Sequence, residues 1–157
     1  MQAKATNKEC IFCVAARNPA DDETTLVVHR GRHCFVILNR YPYTSGHLMI
    51  VPYDHVSKME TATPESMGEL IMLAREAEQV LEAIYKPDGL NLGMNLGTAA
   101  GAGIEQHLHM HMLPRWSGDA NFMTTIGHSR VIPEALEDTF KKLRLGFAAF
   151  RRPLTTE

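Results

Sequence analysis

The spacing of apolar residues predicts three strands near the start of the chain. Three β-branched apolar stretches cover residues 25–29, 33–39 and 47–51, with turn-prone residues between them. Short stretches of this composition, separated by glycine, proline and asparagine, are typical of an antiparallel meander. The polar residues 14–24 that precede them contain Asn-Pro and two aspartates, so a loop is expected there.

Over residues 63–85 the spacing of apolar residues changes from that of a strand to that of a helix. Thr63 and Pro64 form a helix start, and apolar residues then recur every three or four positions up to Ile84. Two further strands are predicted at 90–96 and 106–113, joined by the glycine-rich residues 97–103, and a second helix at 133–150. This order of strands and helices predicts an α+β fold with a five-stranded antiparallel sheet and two helices. The chain is expected to form a single domain over residues 1–157, with a helical extension at about 133–150.

The composition of the chain argues against some classes of binding partner. The chain has 157 residues, 45% hydrophobic and 22% charged, with a formal net charge of -2. This charge provides no basic field for nucleic acid, so none is expected as a partner. No apolar run is long enough to span a bilayer, so no membrane partner is expected, and the polar residues 1–9 lack a signal-peptide core. A cytoplasmic location is therefore predicted.

Three histidines alternate with apolar residues near the end of the predicted sheet. In a strand, His107, His109 and His111 would share one face, because alternate side chains point to opposite faces. A single histidine is ordinarily structural, but three on one face beside a glycine-rich loop favour chemistry. Imidazole attacks phosphorus near neutral pH and also binds metals, so the histidines alone leave both roles open.

The glycine-rich loop favours phosphate. Gly97, Gly101 and Gly103 let backbone N–H groups approach a ligand without interference from a Cβ. Such amides, beside imidazole, suit phosphate oxygens and the charge that develops on attack. A nucleophilic or phosphate-handling role for the histidines is therefore preferred over a metal role.

The cysteines predict a second site. There are three, an odd number, which argues against a disulfide scaffold. Cys10 and Cys13 form a C-x-x-C pair, a spacing shared by metal sites and by redox motifs. No βαβ pattern surrounds the pair, so metal binding is favoured. Cys34 is expected in the core or at an interface.

These motifs together resemble a known family. The segments 95–101 and 107–115, with His-Leu-His-Met-His-Met-Leu at their centre, resemble the signature of the histidine triad superfamily, and so do Asn39 and residues 46–52. The resemblance covers about residues 10–115. Beyond it, residues 115–123 resemble bacterial members described as diadenosine tetraphosphate phosphorylases or hydrolases. This favours the dinucleoside polyphosphate branch, close to the fragile-histidine-triad type, over the phosphoramidase branch.

The resemblance implies roles for individual residues. His109 would attack the α-phosphorus and form a nucleotidyl-histidine, which phosphate or water then resolves. His111 would contact the phosphates and assist the leaving group, while His107 would shape the site. Asn39 would bind the ribose, and His47 would lie beside the triad. Ile37 and Met49 would contact the base, with ordinary core packing as the alternative. Asn95, Gly101 and Gly103 would lie near the phosphates. In many members a polar side chain precedes the triad, whereas here Gly103 and Ile104 occupy those positions.

The resemblance also implies the metal ligands and the assembly. Some members carry a histidine after the strand that ends in Val-Pro, which corresponds to His55. With Cys10, Cys13 and His107, it would complete a structural Cys₂His₂ zinc site, and no organic cofactor is expected. The family forms homodimers with a continuous sheet, so a dimer is expected here, with an adenine dinucleoside polyphosphate or AMP-like nucleotide as substrate.

Several alternatives remain open from the sequence. The chain could be a non-catalytic nucleotide-binding or signalling module, a phosphoramidase-type hydrolase, or a metalloenzyme in which the three alternating histidines hold the metal. His29, His33 and His128 are expected at the surface. Arg115 either meets phosphate or forms a structural ion pair.

Overall fold

The computed structural model describes residues 9–129 and 134–150, which form an antiparallel sheet with helices. The strands are β1 (Val27–Arg30), β2 (Cys34–Leu38), β3 (Leu48–Pro52), β4 (Gly89–Gly93) and β5 (Met110–Arg115). The helices are α1 (Ile11–Arg17), α2 (Asp22–Thr25), α3 (Pro64–Tyr85), α4 (Phe122–Thr125) and α5 (Leu136–Phe150). Short 3₁₀ turns cover Pro19–Asp21, Met59–Thr61 and Thr98–Ala100.

The sheet has the order β1-β2-β3-β5-β4, and its paired strands are antiparallel. The first three strands form the predicted meander. One row of residues crosses the sheet through Ile37, Met49, His111 and Gly93, which are directly paired from strand to strand. Paired residues project to the same face, so Ile37, Met49 and His111 lie side by side.

Helix α3 covers part of the sheet and has the predicted bounds within a residue. The Thr63 hydroxyl accepts a hydrogen bond from the Ser66 amide, and Pro64 follows as the first helical residue. The buried face of the helix packs against β2, β3 and β5. Helix α5 packs against α3 and β1. A Cβ on Gly146 would lie 2.7 Å from Val80, so the glycine permits the close approach of α5 to α3.

Several predicted boundaries were wrong. Residues 14–24 were expected to form a loop, but most of them belong to α1, to the 3₁₀ turn before α2, and to α2. The last strand begins at Met110 rather than at residue 106, so His107 and His109 precede it. The second long helix begins at Leu136 in the described chain, and residue 133, where it was predicted to start, lies outside the described residues.

Two further expectations concern buried side chains, and the structure contradicts one and confirms the other. His29 was expected at the surface, but its side chain is 7% exposed and stacks on Phe147 with ring centroids 4.9 Å apart. Cys34 is fully buried, and its thiol lies 3.3 Å from the Ser66 carbonyl oxygen, which places it in the core. Among the described helices, none combines the length and the apolar character needed to cross a membrane.

Candidate active site and metal centre

A continuous series of side chains runs from the end of β2 to the start of α1. Asn39 lies beside His47, His47 is bonded to His111, and the rings of His111 and His109 stand edge to face with centroids 4.9 Å apart. The ring of Phe12, on α1, packs on His109 at 5.0 Å and on His107 at 5.4 Å. His107 in turn reaches the two cysteines. The predicted nucleotide site and the predicted metal site are therefore neighbours.

The orientation of His109 fixes its tautomer. Its Nδ1 lies 2.8 Å from the carbonyl oxygen of His107. A carbonyl oxygen can only accept, so Nδ1 must carry the proton and donate it. When the imidazole is neutral, its Nε2 then has a free lone pair. Burial lowers the pKa of His109, while the hydrogen bond to the His107 carbonyl acts in the opposite direction.

The orientation of His47 and His111 follows from a backbone contact. The Tyr43 amide donates to Nδ1 of His47 over 3.1 Å, so Nδ1 is an acceptor and the proton of a neutral His47 lies on Nε2. That Nε2 lies 2.9 Å from Nδ1 of His111 and donates to it. Asn39 Nδ2 lies 3.5 Å from the same Nε2, but both nitrogens then carry protons, so this contact is not a hydrogen bond. Neutral His111 then carries its proton on Nε2.

The pKa of His111 agrees with that arrangement. Burial, together with the neighbouring His109, lowers the pKa of His111 to about 4. His111 is therefore neutral near pH 7, and its Nδ1 accepts the hydrogen bond from His47 Nε2–H. Its Nε2–H remains as a hydrogen-bond donor.

The second cluster joins the two cysteines to His55 and His107. Sγ of Cys10 lies 3.4 Å from Nδ1 of His107, and Sγ of Cys13 lies 3.2 Å from Nδ1 of His55. The two Nδ1 atoms are 3.2 Å apart, and the four potential ligand atoms all lie within 4.8 Å of one another. Nε2 of His107 donates to the Pro52 carbonyl over 2.9 Å, which leaves Nδ1 as the ligand atom. These four residues could hold a metal ion.

Hydrogen bonds and ion pairs hold α1 against the sheet, and Cys13 lies on this helix with Cys10 as its N-cap. Arg30 of β1 donates to the carbonyl oxygens of Ala15 and Ala16 near the end of α1. The same guanidinium donates to Oδ1 of Asp22 over 2.7 and 3.0 Å, and Arg144 of α5 lies 3.3 Å from Oδ2 of Asp22. The position of α1 thus depends on contacts with β1, α2 and α5.

The structure brings together some of the expected substrate residues. Ile37 and Met49 are 5% and 6% exposed and belong to the core, although they share a row with His111. Asn39 is half-buried beside His47, and its Oδ1 accepts from the Tyr41 amide.

The glycine-rich loop lies apart from that row. Asn95, Gly101 and Gly103 are exposed, and the amide of Asn95 donates to the Gly101 carbonyl over 3.4 Å. Within residues 9–129 and 134–150, no hydrogen bond links these three residues to His107, His109 or His111.

Comparison with known proteins identifies the family. The sequence model of the HIT domain matches residues 21–118, which is well over half of the chain. The chain belongs to the HIT domain family. The match begins after Cys10 and Cys13 and ends at residue 118.

Two curated HIT relatives have enzyme names. The chain is 48% identical to the AP-4-A phosphorylase of Mycobacterium tuberculosis (strain H37Rv) over 127 residues, 81% of this chain. It is 28% identical to the asymmetrical bis(5'-nucleosyl)-tetraphosphatase of Schizosaccharomyces pombe over 59% of this chain. The matched regions span 65% of the mycobacterial relative and 50% of the yeast relative.

Solved HIT structures share the fold. A protein from Sulfolobus tokodaii described as a hypothetical histidine triad nucleotide-binding protein superposes with a TM-score of 0.70 and 26% identity, covering 92% of this chain and 96% of that one. A Zn-bound histidine triad family protein from Mycobacterium smegmatis gives the same TM-score at 24% identity, covering 90% and 95% of the two chains.

Three features of the HIT site were missed or left open by sequence reasoning. Phe12 and Tyr43 were not singled out, yet Phe12 packs on His107 and His109, and the Tyr43 ring lies 4.6 Å from His47 and 6.2 Å from His111. The one sequence signal that could have identified Phe12 as a site residue is its position between Cys10 and Cys13. Arg115 forms the ion pair with Asp119 rather than standing free for phosphate.

Proposed function

We propose that this HIT protein is an enzyme that cleaves dinucleoside polyphosphates at the α-phosphate through a nucleotide covalently bound to His109. The observation that carries this proposal is the hydrogen bond from His109 Nδ1 to the His107 carbonyl. It supports a neutral imidazole whose Nε2 lone pair is available for attack. The names of the mycobacterial and yeast relatives support the substrate class.

In the first step, Nε2 of His109 forms a bond to the α-phosphorus. The bond from that phosphorus to the bridging oxygen breaks, and the remaining nucleotide, a nucleoside triphosphate for a tetraphosphate substrate, leaves with the electron pair. The attacking imidazole becomes positively charged because Nδ1 keeps its proton. The His107 carbonyl, which accepts that proton's hydrogen bond, stabilises the charge.

His111 acts on the oxygen that leaves. Its Nε2–H donates a hydrogen bond to the departing phosphate oxygen, and His47 keeps that proton on Nε2 by donating to Nδ1. The departing polyphosphate is a stable anion, so a hydrogen bond is sufficient and His111 need not become protonated. This role agrees with the lowered pKa of His111.

In the second step, an acceptor attacks the same phosphorus and the bond to His109 breaks. Inorganic phosphate would give a nucleoside diphosphate, and water would give a nucleoside monophosphate with release of one proton. At the two positions where many members of the family carry a polar side chain, Gly103 and Ile104 supply none. We infer that this leaves room for phosphate as the acceptor.

The retained nucleotide is assigned to the row beside His111. Asn39 holds the ribose hydroxyls, His47 lies beside them, and Ile37 and Met49 contact the base. Asn39 lies next to His47, Met49 is paired with His111, and Ile37 is paired with Met49. We also assign backbone amides at Gly101 and Gly103, with Asn95, to the phosphates.

The metal centre is assigned to structural zinc. A tetrahedron with Zn–S near 2.3 Å and Zn–N near 2.0–2.1 Å has edges of about 3.3–3.8 Å. Four of the six ligand–ligand distances are 3.2, 3.2, 3.4 and 3.7 Å, close to those edges, and all six are within 4.8 Å. Zinc would supply a crosslink between α1 and the segment that carries His107, with all four positions filled by protein. His109 and His111 do not belong to the ligand group found among the described residues.

A homodimer is proposed through β4. This strand lies at one edge of the sheet, and Leu92 on it is 51% exposed. An unpaired edge can pair with a second copy, which would give the continuous sheet implied by the family resemblance.

Product analysis tests the function. With diadenosine tetraphosphate and phosphate, we expect ADP and ATP; without phosphate, AMP and ATP, or no turnover. ADP formed without added phosphate would overturn attack at the α-phosphorus. His109→Asn is expected to lose turnover by at least about 1,000-fold while nucleotide binding persists, because a nucleophile is removed. Nucleotide binding without turnover in the unaltered protein would indicate a non-catalytic module.

A further inference from the structure

A cavity of about 740 Å³ lies at the end of the sheet, and Tyr43, whose ring lies against His47 and His111, forms part of its wall. It is bordered by the turn before β3, the end of β5, the segment after β5, and α3 and α5. We call it the tail cavity, and its lining includes Tyr43, Tyr85, Leu113, Trp116, Ala120 and Lys142, together with Arg115, Asp119, Asn121, Thr124 and Glu134.

The tail cavity is continuous with the proposed reaction site. Leu113 lies two residues beyond His111 on β5, so both project to the same face of the sheet. Tyr43 forms part of the cavity wall, and its ring is also stacked on His111, with an interplanar angle of 18°. A ligand that extends from the phosphorus past His111 would enter the cavity.

The charges of the cavity suit an uncharged group rather than phosphate. Arg115 is held by Asp119 through two bonds of 2.6 and 2.8 Å, and this ion pair lowers the pKa of Asp119 to about 2. Lys142 is bonded to Glu134, which also accepts from the Tyr85 hydroxyl over 2.5 Å. Both lining cations are thus neutralised by partners in the described chain.

The walls of the cavity suit a nucleobase. Tyr43, Tyr85 and Trp116 supply aromatic rings, and the rings of Tyr85 and Trp116 stand edge to face with centroids 6.4 Å apart. Aromatic faces stack on any base. The Asn121 side-chain oxygen and the Thr124 hydroxyl cap the start of α4, which leaves Nδ2 of Asn121 as a donor in the lining for ribose or base edges. A volume of this size falls within the range of small-ligand pockets.

The tail cavity is lined partly by residues inside the segment that the HIT model matches and partly by residues that follow it. That match ends at residue 118, whereas Ala120 and Lys142 follow it. We propose that the tail cavity binds the second nucleoside of the substrate, the one that departs with the leaving polyphosphate. The proposal rests on the proposed function, and it places the leaving side at His111 because that residue stands between His109 and the cavity.

The test compares two substrates that differ only at the far end. One is diadenosine tetraphosphate, and the other is adenosine tetraphosphate whose terminal phosphate carries a methyl group instead of the second nucleoside. The two have the same reacting phosphorus and the same charge. We expect kcat/KM to be about 5- to 150-fold higher for the dinucleoside, the range that stacking of one base on aromatic side chains provides.

Two variants and one control locate the effect. Ala120→Phe fills the cavity from an exposed position, and Trp116→Ala removes an aromatic wall. Both are expected to reduce the ratio of the two kcat/KM values to within about threefold of unity, with Trp116→Phe restoring part of it. Leu145→Ala, on an exposed position of α5 away from the cavity lining, is the matched control and should keep the unaltered ratio.

The outcomes separate this proposal from the proposed function. If neither compound is cleaved, the proposed function fails. If both are cleaved with equal kcat/KM by the unaltered protein, the enzyme stands and the tail cavity does not bind the second nucleoside. A preference that survives both Ala120→Phe and Trp116→Ala would place the second nucleoside elsewhere.

Discussion

Removing one thiol from the metal centre should release the metal and loosen α1. Cys13→Ala deletes the sulfur that lies 3.2 Å from His55 Nδ1 and 3.7 Å from His107 Nδ1, and leaves three of the four ligands. The protein with all four ligands should contain close to one zinc per chain, and the variant should contain well under half. Elemental analysis of gel-filtered protein measures this directly.

The effect on stability follows from mass action. At free zinc about 100 times the dissociation constant, binding stabilises the folded state by about 2.7 kcal/mol. For a domain of this length, 1 kcal/mol shifts Tm by about 2–4 °C. Cys13→Ala should therefore lower Tm by about 5–11 °C in the presence of zinc. In the variant, a chelator should have little further effect.

Cys34→Ala is the matched control for this prediction. Cys34 is buried in the core and lies outside the ligand group, so its loss should reduce packing but leave the metal content near one. Unchanged metal content in Cys13→Ala would refute the assignment of the ligands. Metal loss without any change in Tm would refute the claim that the metal ties α1 to the sheet.

Two further predictions concern buried groups. Asp22→Asn should lower the free energy of unfolding, measured by urea denaturation, by about 3–5 kcal/mol, because it leaves Arg30 buried without its anion. Glu9→Gln, in the exposed pair with Arg17, should lower it by under about 1 kcal/mol. Equal effects of the two substitutions would contradict this reasoning. His111 should titrate by NMR with a midpoint near 4, since burial and the adjacent His109 disfavour its charged form. Because the unfolded chain takes up this proton near 6.5, His111 should reduce stability as pH falls from about 6.5 towards 4, and a folded-state midpoint near 6.5 would contradict this.

Features that depend on local pattern were predictable from the sequence. The alternation of apolar residues gave the meander, and the cap at Thr63 gave the start of α3. The resemblance supplied His55 and His107 as partners of the two cysteines, and the structure gathers these four side chains.

Features that depend on tertiary contacts were not predictable. Helix α1 is only seven residues long, and isolated helices of that length are marginal in water. It is held by burial of Phe12 and Ala15 and by Arg30, which lies on a different element. For the same reason His29 was placed at the surface, since nothing near it in sequence indicates Phe147.

The chemistry of the three histidines also required coordinates. Their even spacing in the sequence gives all three histidines the same expected position on one face of a strand, whereas their hydrogen bonds give each imidazole a different orientation. His107 donates to the Pro52 carbonyl and turns Nδ1 towards the cysteines, while His109 donates to the His107 carbonyl. These contacts involve backbone atoms, whose positions a side-chain pattern does not specify.

The covalent step at His109 is the central claim, and the mass of the intact protein during turnover tests it most directly. After rapid mixing with diadenosine tetraphosphate without phosphate and a quench that preserves P–N bonds, the protein should gain the mass of one adenylyl group. Peptide mapping should place that group on His109. His109→Asn, which keeps a side chain packed near Phe12, should show no gain. Full turnover with no adduct, or an adduct that persists in His109→Asn, would contradict the account.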